Sequence, residues 1–268
     1  MKGLVKLHAH PKLRSPIMIA AWPGIGNVAT IVGVYLRREL NFRHLGELDA
    51  PHFFDPIGVS ARESMVESPQ FPESNFFYWK NRRGEHDLIL FIGDDQPSAK
   101  AYDLANCVLD VAEKFQVERI YTCAAAMTRM HHTEQPRVWG VGTTKHAIVD
   151  LKKWDLVQSG EIQIAGLNGL LLGVAKDRGV EGICLLGEVP VYATRIQNPI
   201  AALAVLKVLT KILSIEIDLA DLARMAVETG EKLKQMAAQA MEEYIDFFTE
   251  PIWERGEETE EEEGDEEG

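Results

Sequence analysis

The sequence predicts an α/β protein with a mostly parallel central sheet covered by helices. Two observations carry that expectation. Short apolar runs alternate with stretches of helical spacing, and the first run meets its helix through a glycine turn. A third sets the scale: the 268 residues are 46% hydrophobic, and no linker or compositional break divides them before the last dozen positions, so one large core is expected.

In chain order, the apolar run Ile17 to Trp22 is the first strand, and Pro23-Gly24-Ile25-Gly26-Asn27 turns it into a helix over Val28 to Leu40. Phe76 to Trp79 and Leu88 to Ile92 are the next strands. Pro97 to Phe115 then places Leu104, Val108, Val111 and Phe115 on one helical stripe, with Lys100, Asp103 and Asp110 off it. Arg119 to Cys123, Val138 to Val141 and Gly182 to Leu186 complete the strand candidates. Asn198 before Pro199 is a capping residue ahead of a proline at the first helical position, and it opens a helix through Ile215.

Behind the capping acid Asp218, the positions Leu219, Leu222, Ala226, Thr229, Leu233, Met236, Ala240 and Phe247 step by threes and fours, missing only at Glu243. This is a long helix with one apolar seam, which can pack back on its own domain or against another subunit. Leu219, Leu222, Leu233 and Met236, with Tyr244, are the candidate oligomer or partner contacts. The expected organisation is an α/β core over residues 1–215, a helical segment over 216–249 and a disordered acidic tail over 250–268.

Nine acids and no base fall in residues 257–268, so of the net charge of -13 only -4 belongs to the remainder. A body this mildly acidic has no electrostatic footprint for nucleic acid, and Arg37, Arg38, Arg43, Lys80, Arg82 and Arg83 read as solvated faces. Cys107, Cys123 and Cys184 each stand singly in apolar segments, spelling neither a disulfide framework nor a zinc site. No signal segment or run of ~20 apolar residues is present, so a cytoplasmic protein without membrane contact is expected.

The loops leaving the carboxyl ends of parallel strands gather along one edge, where ligands of such folds bind. The candidate loops are Pro23 to Asn27, Gly93 to Gln96, Ala124-Ala125-Ala126 leading to Thr128 through His132, and Gly187 to Tyr192. They supply Gly24, Gly26, Asn27, Asp94, Asp95, Arg129, His131 and Glu188 as candidate ligand groups for a nucleotide- or nucleoside-binding enzyme of hydrolase or phosphorylase type. Gly24 to Ala29 reads G-x-G-x-x-A, a dinucleotide fingerprint, and Glu47 and Asp49 fall near the distance of its ribose-binding acid. Against this, Pro23 removes an amide and no GKS or GKT follows. Steric turn formation by the two glycines therefore ranks first. Glu188 reads as a general base or, in preference, as an acceptor for backbone amides. No G-x-S-x-G elbow or histidine-activated cysteine is visible, and His131 and His132 diverge in any regular element, so no catalytic residue, cofactor or metal is expected.

The segments "PGIGNVA" from Pro23, "GLNGLLLG" from Gly166, "LLGEVPVY" from Leu185 and "NPIAALAVL" from Asn198 together resemble the proteasome assembly chaperone 2 family in its archaeal and bacterial branch. The resemblance runs from Ile17 to about Ile215. It implies a three-layer α/β/α fold similar to nucleoside phosphorylases, with the long helix appended. It further implies a non-enzymatic homo-oligomer that binds and scaffolds a protein client, proteasome α-subunits in the archaeal and eukaryotic members. One feature departs from the family: proteasome-binding members often end in a hydrophobic residue, a tyrosine and one more residue, where this sequence has Asp265-Glu266-Glu267-Gly268.

Overall fold

The computed structural model describes residues 3–249 apart from 57, 132 and 159, with side chains described through residue 239. β1 (Val5–Leu7) and β2 (Ile17–Ala21) come first, and a 3-10 turn, Ile25–Asn27, joins β2 to α1 (Val28–Glu39). β3 (Arg43–Leu48), α2 (Ala50–Phe53) and a hairpin of β4 (Ala61–Arg62) and β5 (Met65–Val66) lead to β6 (Ser74–Trp79), β7 (Leu88–Gly93) and α3 (Ala101–Lys114). The chain continues through β8 (Arg119–Thr128), β9 (Val138–Gly142), α4 (Lys145–Leu151), α5 (Leu167–Asp177), β10 (Gly182–Pro190), α6 (Pro199–Ile212) and α7 (Ala220–Thr249).

Among the described residues, eight strands form one sheet in the order β1-β3-β6-β7-β2-β8-β10-β9. Its middle, from β7 to β10, is parallel, while β9 on one side and β6, β3 and β1 on the other add antiparallel edges. β2 and β10 are buried at every residue, as strands covered on both faces must be. Side chains alternate between the faces. Ile19, Leu90, Tyr121 and Leu185 meet α1 and α6, whereas Met18, Phe91 and Ile120 meet α3 and α5. The result is the α/β/α sandwich expected, and α7 lies on α6. The Asn198 cap forms as read: its Oδ1 accepts from the Ala201 N–H at 2.9 Å.

Several boundaries differ from the sequence expectation. β8 and β10 run on to Thr128 and Pro190, so Ala124 to Ala126 and Gly187 to Pro190 are strand rather than loop. Their mutual ladder continues to Thr128↔Pro190, and this long-range pairing overrides the weak strand preference of alanine and glycine. β1 escapes the sequence reading because it is a three-residue edge strand, and β3, between β1 and β6, because it opens with the exposed Arg43 and His44. α5 escapes it because glycines interrupt its leucine run.

On α7, Leu222 and Leu233 are buried in the chain's own core and Met236 is half exposed, while Leu219, just before the helix, packs partly buried against that core. The Tyr244 side chain and the tail over 250–268 lie outside the described residues.

Candidate functional site

A cleft of about 510 Å³ opens at the carboxyl edge of the parallel strands, lined by Gly24, Ile25, Ala29, Gln96, Ala124 to Met127, residues 161–166 and Asn168. Two amide side chains tie its walls together. Asn168 is buried and makes both of its bonds to Trp22, accepting from the backbone N–H at 3.1 Å and donating to the carbonyl at 3.0 Å. Gln96 donates to the Pro23 carbonyl and accepts from the Leu167 N–H at 2.7 Å. The start of α5 is thereby fastened to the turn that follows β2.

The glycine turn is a packing joint. Gly26 and Asn27 both occupy the left-handed region, with φ of 62° and 50°. The Gly26 N–H donates to the Thr194 carbonyl at 3.3 Å, and its own carbonyl accepts from Asn198 N–H at 2.8 Å. The Asn27 N–H donates to the Gly24 carbonyl and the Val28 N–H to that of Ile25. Amides that a pyrophosphate would need are thus engaged within the protein. A Cβ at Gly26 would stand 3.0 Å from the Asn198 Cβ, whereas Gly24, with φ of -170°, is ordinary extended backbone. Glu47 lies in β3, three places from β2 in the sheet, about 14 Å at ~4.8 Å per strand, rather than on the adjacent strand where a ribose-binding acid sits.

Of the candidate ligand residues, Gly24 alone lines the cleft among the described residues. Asp94 exchanges bonds with Glu73, its N–H donating to the Glu73 carbonyl at 2.8 Å and its Oδ2 accepting from the Glu73 N–H at 3.2 Å, so it ties β7 to the start of β6. Asp95 accepts from the Gln96 N–H at 2.7 Å. Arg129 and His131 are exposed in the segment after β8, where His131 Nδ1 lies 2.7 Å from Thr133 Oγ1 and its N–H donates to Glu134 at 3.1 Å. His132 falls outside the described residues.

Glu188 is 3% exposed within β10 and works as a strut. Its carboxylate accepts from the Arg137 N–H at 3.0 Å, Arg137 Nε at 3.2 Å, Arg137 Nη2 at 2.9 Å and Trp139 Nε1 at 3.1 Å. Burial pushes its carboxyl upward, but the Arg137 side chain and amide with the Trp139 indole outweigh burial and hold it below the usual range. A carboxylate committed in this way clamps the start of β9 to β10; the backbone amide it takes is that of Arg137, beside the guanidinium and the indole.

At the opposite, amino edge, Arg119 donates to Asp150 at 2.7 Å and to Glu181 at 2.6 Å. His146, Asp150 and Glu181 have ligand atoms within 4.8 Å of one another, yet Arg119 already supplies the positive charge a metal ion would bring. Hydrogen bonds from Lys153 and then Arg119 hold Asp150 down at about 2. Burial pushes the thiols up, Cys107 to about 11 and Cys184 to about 12, so both remain protonated. Among the described residues no helix is long and apolar enough to cross a membrane.

The family model described as PAC2 family matches residues 18–237. The crystal structure of Pyrococcus furiosus PbaB, an archaeal proteasome activator, is 33% identical and superposes with a TM-score of 0.75 over 87% of this chain and 98% of that one. A PAC2 family protein from Streptomyces avermitilis is 25% identical, with a TM-score of 0.70 over 86% and 99% of the two chains. Pyrococcus furiosus PbaA, an archaeal homolog of proteasome-assembly chaperone, is also 25% identical, at 0.65 over 90% and 99%.

Proposed function

The chain belongs to the PAC2 family, and from that membership we propose that it is a proteasome-assembly-chaperone-like protein that binds and scaffolds a protein client as a homo-oligomer, with proteasome α-subunits as the client. The observation that carries this reading is the 33% identity to PbaB over 87% of this chain and 98% of that one. The site geometry accords with a binding role. Glu188 and the glycine turn, among the groups from which a nucleotide enzyme would be assembled, are engaged in holding strands and helices together. For self-association, the outward positions of α7, with Met225, Val227 and Met236 exposed, offer apolar surface beyond the part of the seam committed to the core.

Two measurements test the proposal. Light scattering on the full chain gives the mass of a homo-oligomer, and the immobilised chain retains proteasome α-subunits from its own host in stoichiometric amount. A monomer, or a chain that leaves those subunits in solution, refutes the corresponding half.

A further inference from the structure

The carboxyl-edge cleft contains an unfinished β-ladder. β8 pairs with β10 as far as Thr128, but its pairing with β2 stops at Ala20↔Thr122. Trp22, the residue directly after β2 and the next one in register turned toward β8, gives its N–H and carbonyl to the Asn168 side chain instead. Parity decides what is left open. Ile120 donates its N–H to the Glu181 carbonyl on the β10 side, so the even residues of β8 turn their backbone groups to β10 and the odd ones turn away. The N–H and C=O groups of Ala125 and Met127 therefore face the cleft that both residues line, and Met127 is 58% exposed at its mouth.

The geometry points to an extended, neutral or basic peptide segment of a partner protein as the occupant of this cleft, added as a strand along Ala125 and Met127. An open strand edge recognises backbone, and the alanines beside it leave room for the incoming chain. Across the cleft, Ile162 and Ile164 pack inward while Glu161 and Gln163 stay exposed. Among the described residues, Glu161 is the charged residue of the lining, which contains no lysine, arginine or histidine. A phosphate meets no cation there, whereas a lysine on the peptide meets a carboxylate. This inference rests on reading the chain as a binder of protein partners and names where it holds them.

The test uses the full chain and two fluorescein-labelled, acetylated seven-residue peptides, one alternating valine with lysine and one alternating valine with glutamate. Met127→Pro removes a donor on the cleft side without touching the β10 ladder, and Met127→Ala keeps it. The lysine peptide is expected to bind and to slow hydrogen exchange at the Ala125 and Met127 amides, with the glutamate peptide at least tenfold weaker. Met127→Pro weakens binding at least tenfold and Met127→Ala less than twofold. If circular dichroism shows Met127→Pro misfolded, Glu161→Lys decides by reversing the preference between the peptides. Absent binding, unprotected amides or an unaffected Met127→Pro overturns the inference. Capture of α-subunits undiminished in Met127→Pro also places the partner elsewhere and leaves the family reading standing. Peptide binding as stated without capture of α-subunits refutes that client and keeps the cleft.

Discussion

Replacing Asn168 with alanine tests how the carboxyl edge is held together. Its side chain satisfies both backbone groups of Trp22, a residue with no exposed surface, at 3.1 and 3.0 Å. Truncation orphans one N–H and one C=O, each costing about 1–3 kcal/mol when buried without a partner, so about 2–6 kcal/mol in all. The adjoining cleft can admit water to the vacated space, which places the expected loss in the lower half, near 3 kcal/mol. For a chain of this size that is a fall in Tm of roughly 6–12 °C. Urea unfolding followed by circular dichroism, with an unchanged m-value, gives the free energy directly. Asn168→Asp is the sharper control. It retains the acceptor for Trp22 N–H but turns a carboxylate oxygen toward the Trp22 carbonyl, so it should match or exceed the alanine loss. A loss under about 1 kcal/mol for Asn168→Ala, or wild-type stability for Asn168→Asp, would refute the account.

Other consequences can be checked in the same way. Gly26→Ala forces a side chain to a φ of 62° and 3.0 Å from Asn198 Cβ, at an expected cost of about 1–2 kcal/mol, while Gly24→Ala stays within about 0.5 kcal/mol. Equal losses in thermal melts would contradict the packing-joint role. Because Glu188, Glu181 and Asp150 all have folded pKa values below their ordinary ones, their stabilisation is present above those ordinary values. It is lost as pH falls through the folded ones, with stability dropping from about pH 4.5 toward pH 2. Glu188→Gln should flatten part of that acid slope in urea titrations; an unchanged slope disproves its share. Cys107, Cys123 and Cys184, buried with raised thiols, should react with a chromogenic disulfide reagent only after unfolding, and native labelling would show the packing to be wrong.

Period and punctuation in the sequence determined the alternation of elements. Ile17 to Ala21 and Leu88 to Ile92 are unbroken apolar runs, which only strands covered on both faces require, and Asn198-Pro199 starts its helix by local capping. Gly26 of the first turn was legible as a steric device because a left-handed backbone favours a residue without Cβ, whereas Gly24 stands in extended backbone open to any residue. What only the tertiary structure decided depends on partners far away in the chain. Ala124 to Thr128 becomes strand because β10 lies beside it, and Glu188 becomes a strut because β9 returns with Arg137 and Trp139. Asn168 acquires its role from Trp22, 146 residues away. The seam of α7 shows the same division. Its spacing specifies an apolar stripe, but the docking of α6 determines that Leu222 and Leu233 enter the chain's own core while Met236 remains outside, since burial is a property of the neighbours that a residue meets.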